Sequence, residues 1–148
     1  MKKFLFGVVA LLIFFAGSGS VNAQANFAEE VLSLVNVERA KVGARPLVLV
    51  EDLQRSAAIR AHELLQDFSH TRPDGSDCFT AMERHGRSCG ENIAAGQATP
   101  EAVVDSWMNS DGHRENILNP EYREMGIGYV YSEDSHYNHY WVQLFRSR

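Results

Sequence analysis

Runs of basic residues are absent from this 148-residue chain once its N-terminal leader is set aside. Lysine and arginine together number 14 against 19 aspartates and glutamates, which gives a formal net charge of −5. Removing Lys2 and Lys3, the only charges in the leader, takes the net charge to −7. An acidic domain without a basic stripe lacks the electrostatic footprint of a nucleic-acid-binding protein, so we expect no nucleic-acid partner.

A long hydrophobic run occurs only at the N-terminus, where residues 4–15 are almost entirely apolar. Two lysines precede this run, small residues follow it, and Val21-Asn22-Ala23 fits a cleavage site. This order is typical of a secretory signal peptide, and the run is too short to span a bilayer. We therefore predict a signal peptide at 1–23 and one domain at 24–148. The protein would be secreted or periplasmic and would contact a membrane only through its signal peptide.

Cysteine is scarce, since Cys78 and Cys89 are the only two in the sequence. An exported chain meets oxidising conditions, so a disulfide between them is the expected state. Such a bridge would close a loop of about 12 residues and stabilise the fold by roughly 3 kcal/mol in the chain-entropy model. A reactive thiol pair is the alternative.

Hydrophobic periodicity predicts three helices in the first part of the domain. Asn26 fits an N-cap, so the first helix is predicted over about 26–41. An apolar stripe predicts the second over about 52–68. The third begins at Thr99, which fits an N-cap followed by a proline in the first turn.

The last part of the domain has the pattern of a β-hairpin. Strands are predicted over 125–131 and 137–145, separated by a polar turn. Gly126 and Gly128 lie on one face of the first strand, and such glycines often mark the close approach of another backbone or a ligand. Helices followed by strands indicate an α+β fold with helices packed on an antiparallel sheet.

Two histidines and one glutamate stand out as candidate functional residues. His70 follows the second predicted helix, Glu91 comes shortly after the second cysteine, and His113 lies at a break in the third helix. Each has a simpler interpretation on its own: His70 as a helix cap, Glu91 as a solvated loop residue, and His113 as a surface or capping residue. Together they are residue types that bind a divalent metal or activate water.

Six short motifs follow one another along 24–148. They are Phe68-Ser69-His70, Cys89-Gly90-Glu91-Asn92-Ile93-Ala94, Ser106-Trp107-Met108-Asn109-Ser110 with Gly112-His113-Arg114, Asn116-Ile117-Leu118-Asn119-Pro120, Met125-Gly126-Ile127-Gly128 and Tyr140-Trp141-Val142-Gln143-Leu144-Phe145. In this order they resemble the CAP superfamily, the secreted domain shared by cysteine-rich secretory proteins, insect antigen 5 and plant pathogenesis-related proteins. The chain is most similar to the compact bacterial branch, the SCP-like extracellular proteins.

The resemblance implies an α+β fold, a three-layer α-β-α sandwich with a central antiparallel sheet. It also implies a cleft lined by two histidines and two acidic residues, with His70, His113 and Glu91 at three of these positions. The second glutamate of the eukaryotic members would lie three residues after the tryptophan, where this chain has Ser110. The nearby acidic residues that could replace it, without a motif match, are Glu101, Asp111 and Glu115.

Three functions are compatible with these residues. We expect first a binding module rather than an enzyme, in which His70, His113 and Glu91, the last directly or through water, hold a divalent cation, zinc first. Its cleft would also take a small or lipidic ligand. The alternatives are an extracellular hydrolase of peptide or envelope material, in which the same three residues would activate water, and a structural domain without a ligand. No motif indicates an organic cofactor, and we expect a monomer.

Overall fold

The computed structural model describes residues 18–148, with side chains from residue 26 onward. The predicted signal peptide at 1–23 therefore lies largely outside the described residues. In chain order the elements are α1 (Ser18–Lys41), β1 (Val48–Leu49), α2 (Glu51–Glu63), a 3-10 helix (Cys78–Ala81), β2 (Cys89–Ala95), α3 (Pro100–Met108), α4 (Asp111–Leu118), β3 (Tyr122–Tyr131) and β4 (His139–Ser147). Within this part of the chain, no helix is long and apolar enough to cross a membrane.

The strands of the described region form one sheet in the order β1-β3-β4-β2. The predicted hairpin is confirmed by β3 and β4, which pair antiparallel from Tyr122 opposite Ser147 to Tyr131 opposite His139. β2 pairs antiparallel with the other side of β4, whereas the short β1 pairs parallel with β3. The sheet is therefore antiparallel except at one edge, and β2 places Glu91 inside it.

Helices cover both faces of the sheet because β4 is apolar on both sides. Val142 and Leu144 belong to the core that α2 shares with the sheet. Trp141 and Phe145 belong to the core on the opposite face, which α1, α3 and α4 complete. All four side chains are fully buried, and their alternation follows the period of two in a strand. This arrangement confirms the predicted three-layer α-β-α sandwich.

Two glycines on β3 let α2 lie directly against the sheet. A methyl group added to Gly128 would come 2.0 Å from the carbonyl oxygen of Ala57, and one added to Gly126 would come 2.3 Å from that of Leu53. Any side chain at either position would therefore push the helix off the sheet. The predicted close approach of another backbone is confirmed, and that backbone is α2.

The predicted helix starts have different outcomes. Thr99 caps α3 as predicted, because its side chain accepts a hydrogen bond of 3.2 Å from the backbone N–H of Ala102. Asn26 does not begin α1, which starts at Ser18 and continues through position 26. Asparagine favours helix starts but is tolerated within a helix, so its presence alone does not fix a boundary.

The second helix is shorter than predicted, since α2 ends at Glu63 rather than near residue 68. Beyond it the chain tightens through bonds between residues three apart, from Leu65 N–H to the His62 carbonyl and from Gln66 N–H to the Glu63 carbonyl. His70 therefore lies in a bend beyond the helix rather than at its end. Its interpretation as a helix cap is wrong.

The predicted disulfide is absent, since Cys78 and Cys89 are both free in the structure. Cys78 is buried at the start of the 3-10 helix. Burial, and then the negative charge of Glu91, raise the pKa of the Cys78 thiol to about 12. Thiol reactivity requires the thiolate, so this environment makes Cys78 a poor nucleophile and disfavours the reactive-pair alternative.

Arg39 of α1 is a fully buried arginine that holds α4 in place. Its guanidinium donates hydrogen bonds to the backbone carbonyls of Arg45 (2.8 Å), Ile117 (2.7 Å), Asn119 (2.8 Å) and Tyr122 (3.2 Å). Two of these acceptors lie at the C-terminal end of α4, where the helix dipole favours a cation. The contact fixes the helix that carries the second candidate histidine.

Candidate functional site

Glu91 on β2 is the centre of the site, and its side chain is only 2 % exposed. The guanidinium of Arg60, which is fully buried, donates hydrogen bonds to both carboxylate oxygens of Glu91. Arg60 Nε lies 2.8 Å from Oε2 and Nη2 lies 3.2 Å from Oε1. This fork is the geometry in which an arginine binds a carboxylate most strongly. The negative charge of Glu91 is therefore balanced by Arg60 within the cleft.

Arg60 has further partners that hold it in position. Its Nη1 lies 2.8 Å from Oε2 of Glu63, and its Nη2 donates to the carbonyl of Ser69 at 2.7 Å. Arg72 pairs with the same Glu63 at 2.6 Å. Burial lowers the pKa of Arg60, but the hydrogen bonds that it donates to Glu91 and Glu63 outweigh burial and raise the pKa above its ordinary value. The guanidinium is thus a fixed cation between two carboxylates.

His70 sits on the solvent side of Glu91. Its Nδ1 lies 2.8 Å from Oε1 of Glu91, and its side chain is 56 % exposed. Because a carboxylate can only accept, Nδ1 is the protonated nitrogen and donates to it. In the neutral ring, Nε2 then keeps its lone pair for a ligand. The preceding residue, Ser69, is held by Arg60, so Arg60 positions both members of this pair.

His113 is brought to the same site by a hydrogen-bonded connection between α4 and β2. The side-chain amide of Asn92, which is fully buried, donates to the His113 carbonyl at 3.1 Å. The Asn116 amide donates to Oδ1 of Asn92 at 2.9 Å. Burial lowers the pKa of His113, and the charge of His70 lowers it further. The lowered pKa favours the neutral form of the His113 imidazole at pH 7.

The fourth cleft position has no carboxylate in the described residues. Ser110 is half-buried at the N-cap of α4 and makes no side-chain capping bond. Asp111 pairs with Arg114 at 2.6 Å and is 87 % exposed. Glu101 and Glu115 are exposed on their helices. Among residues 26–148, no three side chains of histidine, cysteine, aspartate or glutamate converge on a point that could hold a metal ion.

Sequence reasoning missed Arg60 and Asn92, which position the three predicted residues. Arg60 lies on the apolar stripe of α2, three residues after Ala57. A charged residue on a helix face that otherwise buries small and apolar side chains indicates a buried partner of opposite charge. That signal could have found Arg60, whereas Asn92 lies inside a motif and carries no comparable sign.

Known proteins resemble this chain over most of its length. Residues 32–145 match the sequence model of the cysteine-rich secretory protein family, CAP. An uncharacterized protein of Bacillus subtilis, YkwD, is 41% identical over 124 residues, which are 80% of this chain and 46% of YkwD. An uncharacterized membrane protein of the same organism, YlbC, is 32% identical over 105 residues, 68% of this chain and 30% of YlbC. The chain therefore spans less than half the length of these relatives.

Solved structures share the fold. An extracellular protein containing a SCP domain, from Bacillus anthracis, superposes with a TM-score of 0.72 at 25% identity, over 84% of this chain and 41% of that one. An outer surface protein of Borrelia burgdorferi superposes with a TM-score of 0.70 at 21% identity, over 81% of this chain and 92% of that one. The second likeness concerns the fold alone.

Proposed function

Because the chain belongs to the cysteine-rich secretory protein family, we propose that it is an exported binding module that holds a divalent cation between His70 and His113. The observation that carries this proposal is the bond of 2.8 Å between Nδ1 of His70 and the buried carboxylate of Glu91. It fixes the tautomer and orientation of an exposed imidazole, which is what an outer-shell carboxylate does for a metal-binding histidine.

Glu91 acts in this proposal behind His70 rather than as a ligand itself. Arg60 already occupies both of its oxygens, at 2.8 and 3.2 Å. Direct binding of a cation by Glu91 would bring a second positive charge against a buried guanidinium. Of the two roles predicted from the sequence, we therefore propose the indirect one.

His113 supplies the second ligand in this proposal. Its lowered pKa leaves the imidazole neutral at pH 7, which is the form that binds a metal. Two imidazoles suit Zn²⁺ among common divalent cations, with water or a ligand atom in the remaining positions. When bound there, Zn²⁺ would polarise an oxygen of a small or lipidic ligand.

Binding is proposed rather than hydrolysis because the described cleft offers no free carboxylate to help activate a water molecule. Its one carboxylate is neutralised by Arg60 and engaged by His70, and Ser110 stands where a second carboxylate was expected. Export to the cell exterior is part of the proposal. It is supported by the predicted leader and by the likeness to the extracellular protein of Bacillus anthracis.

Calorimetric titration with ZnCl₂ tests the proposal. The double variant His70→Ala/His113→Ala should bind zinc at least about 10-fold more weakly than the wild type, since it lacks both ligands. The matched control is His62→Ala/His136→Ala, which removes two exposed histidines outside the cleft and should bind like the wild type. Equal affinity in all three proteins would exclude the cleft as the site, as would loss of binding in the control alone.

A further inference from the structure

Three arginines meet in a pocket at one end of the sheet, away from the residues of the histidine cleft. Arg87 precedes β2, Arg123 lies at the start of β3, and Arg148 follows β4. The pocket has a volume of about 240 Å³, and Glu121 and Ser147 complete its lining. With three arginines and one glutamate, the lining of the pocket carries a net positive charge, although the chain as a whole is negative.

Arg123 is held for binding by the backbone around it. The pairing of β3 with β4 shifts register between Tyr122 and Glu124, so Arg123 is the extra residue of an irregularity of the β-bulge type. Such irregularities re-aim a side chain at the end of a sheet. Its Nη1 donates to the carbonyls of Pro120 and Tyr122, which leaves the Nε and Nη2 edge of the guanidinium without a protein acceptor in the described residues.

Arg87 is placed beside it by a loop that is bonded to β4. Ser147 N–H donates to the Ser88 carbonyl at 2.9 Å, and Ser88 N–H donates to Oγ of Ser147 at 2.9 Å. Gly86 lies so close to β4 that an added methyl group would come 2.1 Å from the Ser147 carbonyl oxygen. The loop therefore cannot move away freely, and the position of Arg87 is set by the sheet.

The charges of Arg87 and Arg123 are not neutralised. Within residues 26–148, neither guanidinium has a carboxylate oxygen within ion-pair distance, whereas Arg148 pairs with Glu124 at 3.1 Å. In the adjoining pocket, by contrast, Arg146 is paired with both Asp52 and Glu124. Arg87 and Arg123 thus bring two unpaired positive charges to the same pocket.

We propose that this pocket binds a phosphate group, either free or as part of a phosphodiester. Arginine forks bind phosphate oxygens in pairs, and the free edge of Arg123 with the unpaired Arg87 offers two such forks. The pocket, with a volume of about 240 Å³, has room for a phosphate group. Ser147 adds a hydroxyl at the wall.

Titration with inorganic phosphate at low ionic strength, followed by the NMR signals of the arginine Nε–H groups, tests the proposal. The wild-type chain should show saturable shifts, and Arg87→Gln/Arg123→Gln should bind at least about 10-fold more weakly. The matched control is Arg45→Gln. Arg45 is exposed, has no ion pair in the described residues and lies outside the pocket.

If the double variant fails to fold, the single variant Arg87→Gln replaces it, because that exposed side chain makes no hydrogen bond within the described region.

Vesicles distinguish the two sources of the phosphate. Binding to phosphatidylglycerol but not phosphatidylcholine vesicles, lost in Arg87→Gln and kept in Arg45→Gln, would assign the pocket to a lipid headgroup. Binding of inorganic phosphate without vesicle binding would assign it to a soluble phosphate. Absence of saturable phosphate binding, or equal binding by all variants, would overturn the proposal. His70→Ala/His113→Ala should bind phosphate like the wild type, so the result is independent of the cleft.

Discussion

Replacing Glu91 with glutamine removes one charge from the centre of the site and leaves its shape nearly unchanged. Arg60, which is fully buried, would lose one of the two acceptor oxygens of its fork and would face an uncharged amide in place of a carboxylate. It would keep Glu63 at 2.8 Å and the Ser69 carbonyl at 2.7 Å. The variant therefore measures the loss of stability when the buried Arg60 guanidinium keeps only part of the negative charge that balances it.

The expected size follows from those contacts. Breaking a buried ion pair by changing one partner typically costs about 3–5 kcal/mol. Because Glu63 remains as a partner of Arg60, we expect a smaller loss than this range, about 2–3 kcal/mol. For a domain of this size, one kcal/mol corresponds to roughly 3–6 °C in the midpoint of thermal unfolding, so the Tm of Glu91→Gln should fall by about 6–18 °C.

A double-mutant cycle separates the pair from the packing around it. Arg60→Met should be destabilising as well, since it leaves the Glu91 carboxylate buried without its cation. The double variant Arg60→Met/Glu91→Met should be less destabilised than the sum of the two single Met variants, because no uncompensated charge remains. Glu83→Gln is the matched control: it removes a glutamate from a half-exposed pair with Arg55, and its Tm should barely change.

The same variant separates the proposed function from a purely structural role. If Glu91 orients His70 for a cation, folded Glu91→Gln should bind zinc about 10–100-fold more weakly than the wild type. A purely structural cluster predicts the lower Tm with no change in zinc affinity. A Glu91→Gln protein that melts within about 2 °C of the wild type would refute the reasoning about the buried pair.

Much of the fold follows from local sequence patterns, and β2 shows where such patterns fail. Helix stripes, the cap at Thr99 and the C-terminal hairpin are all readable because one face of each element is apolar. β2 contains Gly90, Glu91 and Asn92, a composition typical of a loop, yet it pairs with β4 along its whole length. Its polar side chains are accommodated by partners on other elements, which no local pattern contains.

The site was predicted by resemblance more than by spacing. His70, Glu91 and His113 are far apart in sequence, and each alone fits a surface or capping residue. Only the tertiary contacts through Arg60 explain why the glutamate can be buried. The disulfide prediction rested on compartment alone and could not anticipate that Cys78 would be buried at the start of the 3-10 helix.

Two further predictions concern Arg39 and the second histidine. Arg39→Met should destabilise the fold by about 3 kcal/mol or more in urea unfolding, because several buried carbonyls lose their donor. Lys41→Met, at an exposed position, is the control. Equal unfolding midpoints for Arg39→Met and the wild type would contradict the prediction. Burial and then the charge of His70 lower the pKa of His113. As the pH falls, His113 therefore takes up a proton in the unfolded chain before it does so in the folded protein. Protonation of this histidine lowers the stability of the folded protein only as the pH falls below about 6.5. The Tm of the wild type should fall more steeply than that of His113→Gln between about pH 7 and pH 5, and parallel curves would show that the imidazole is not buried as described.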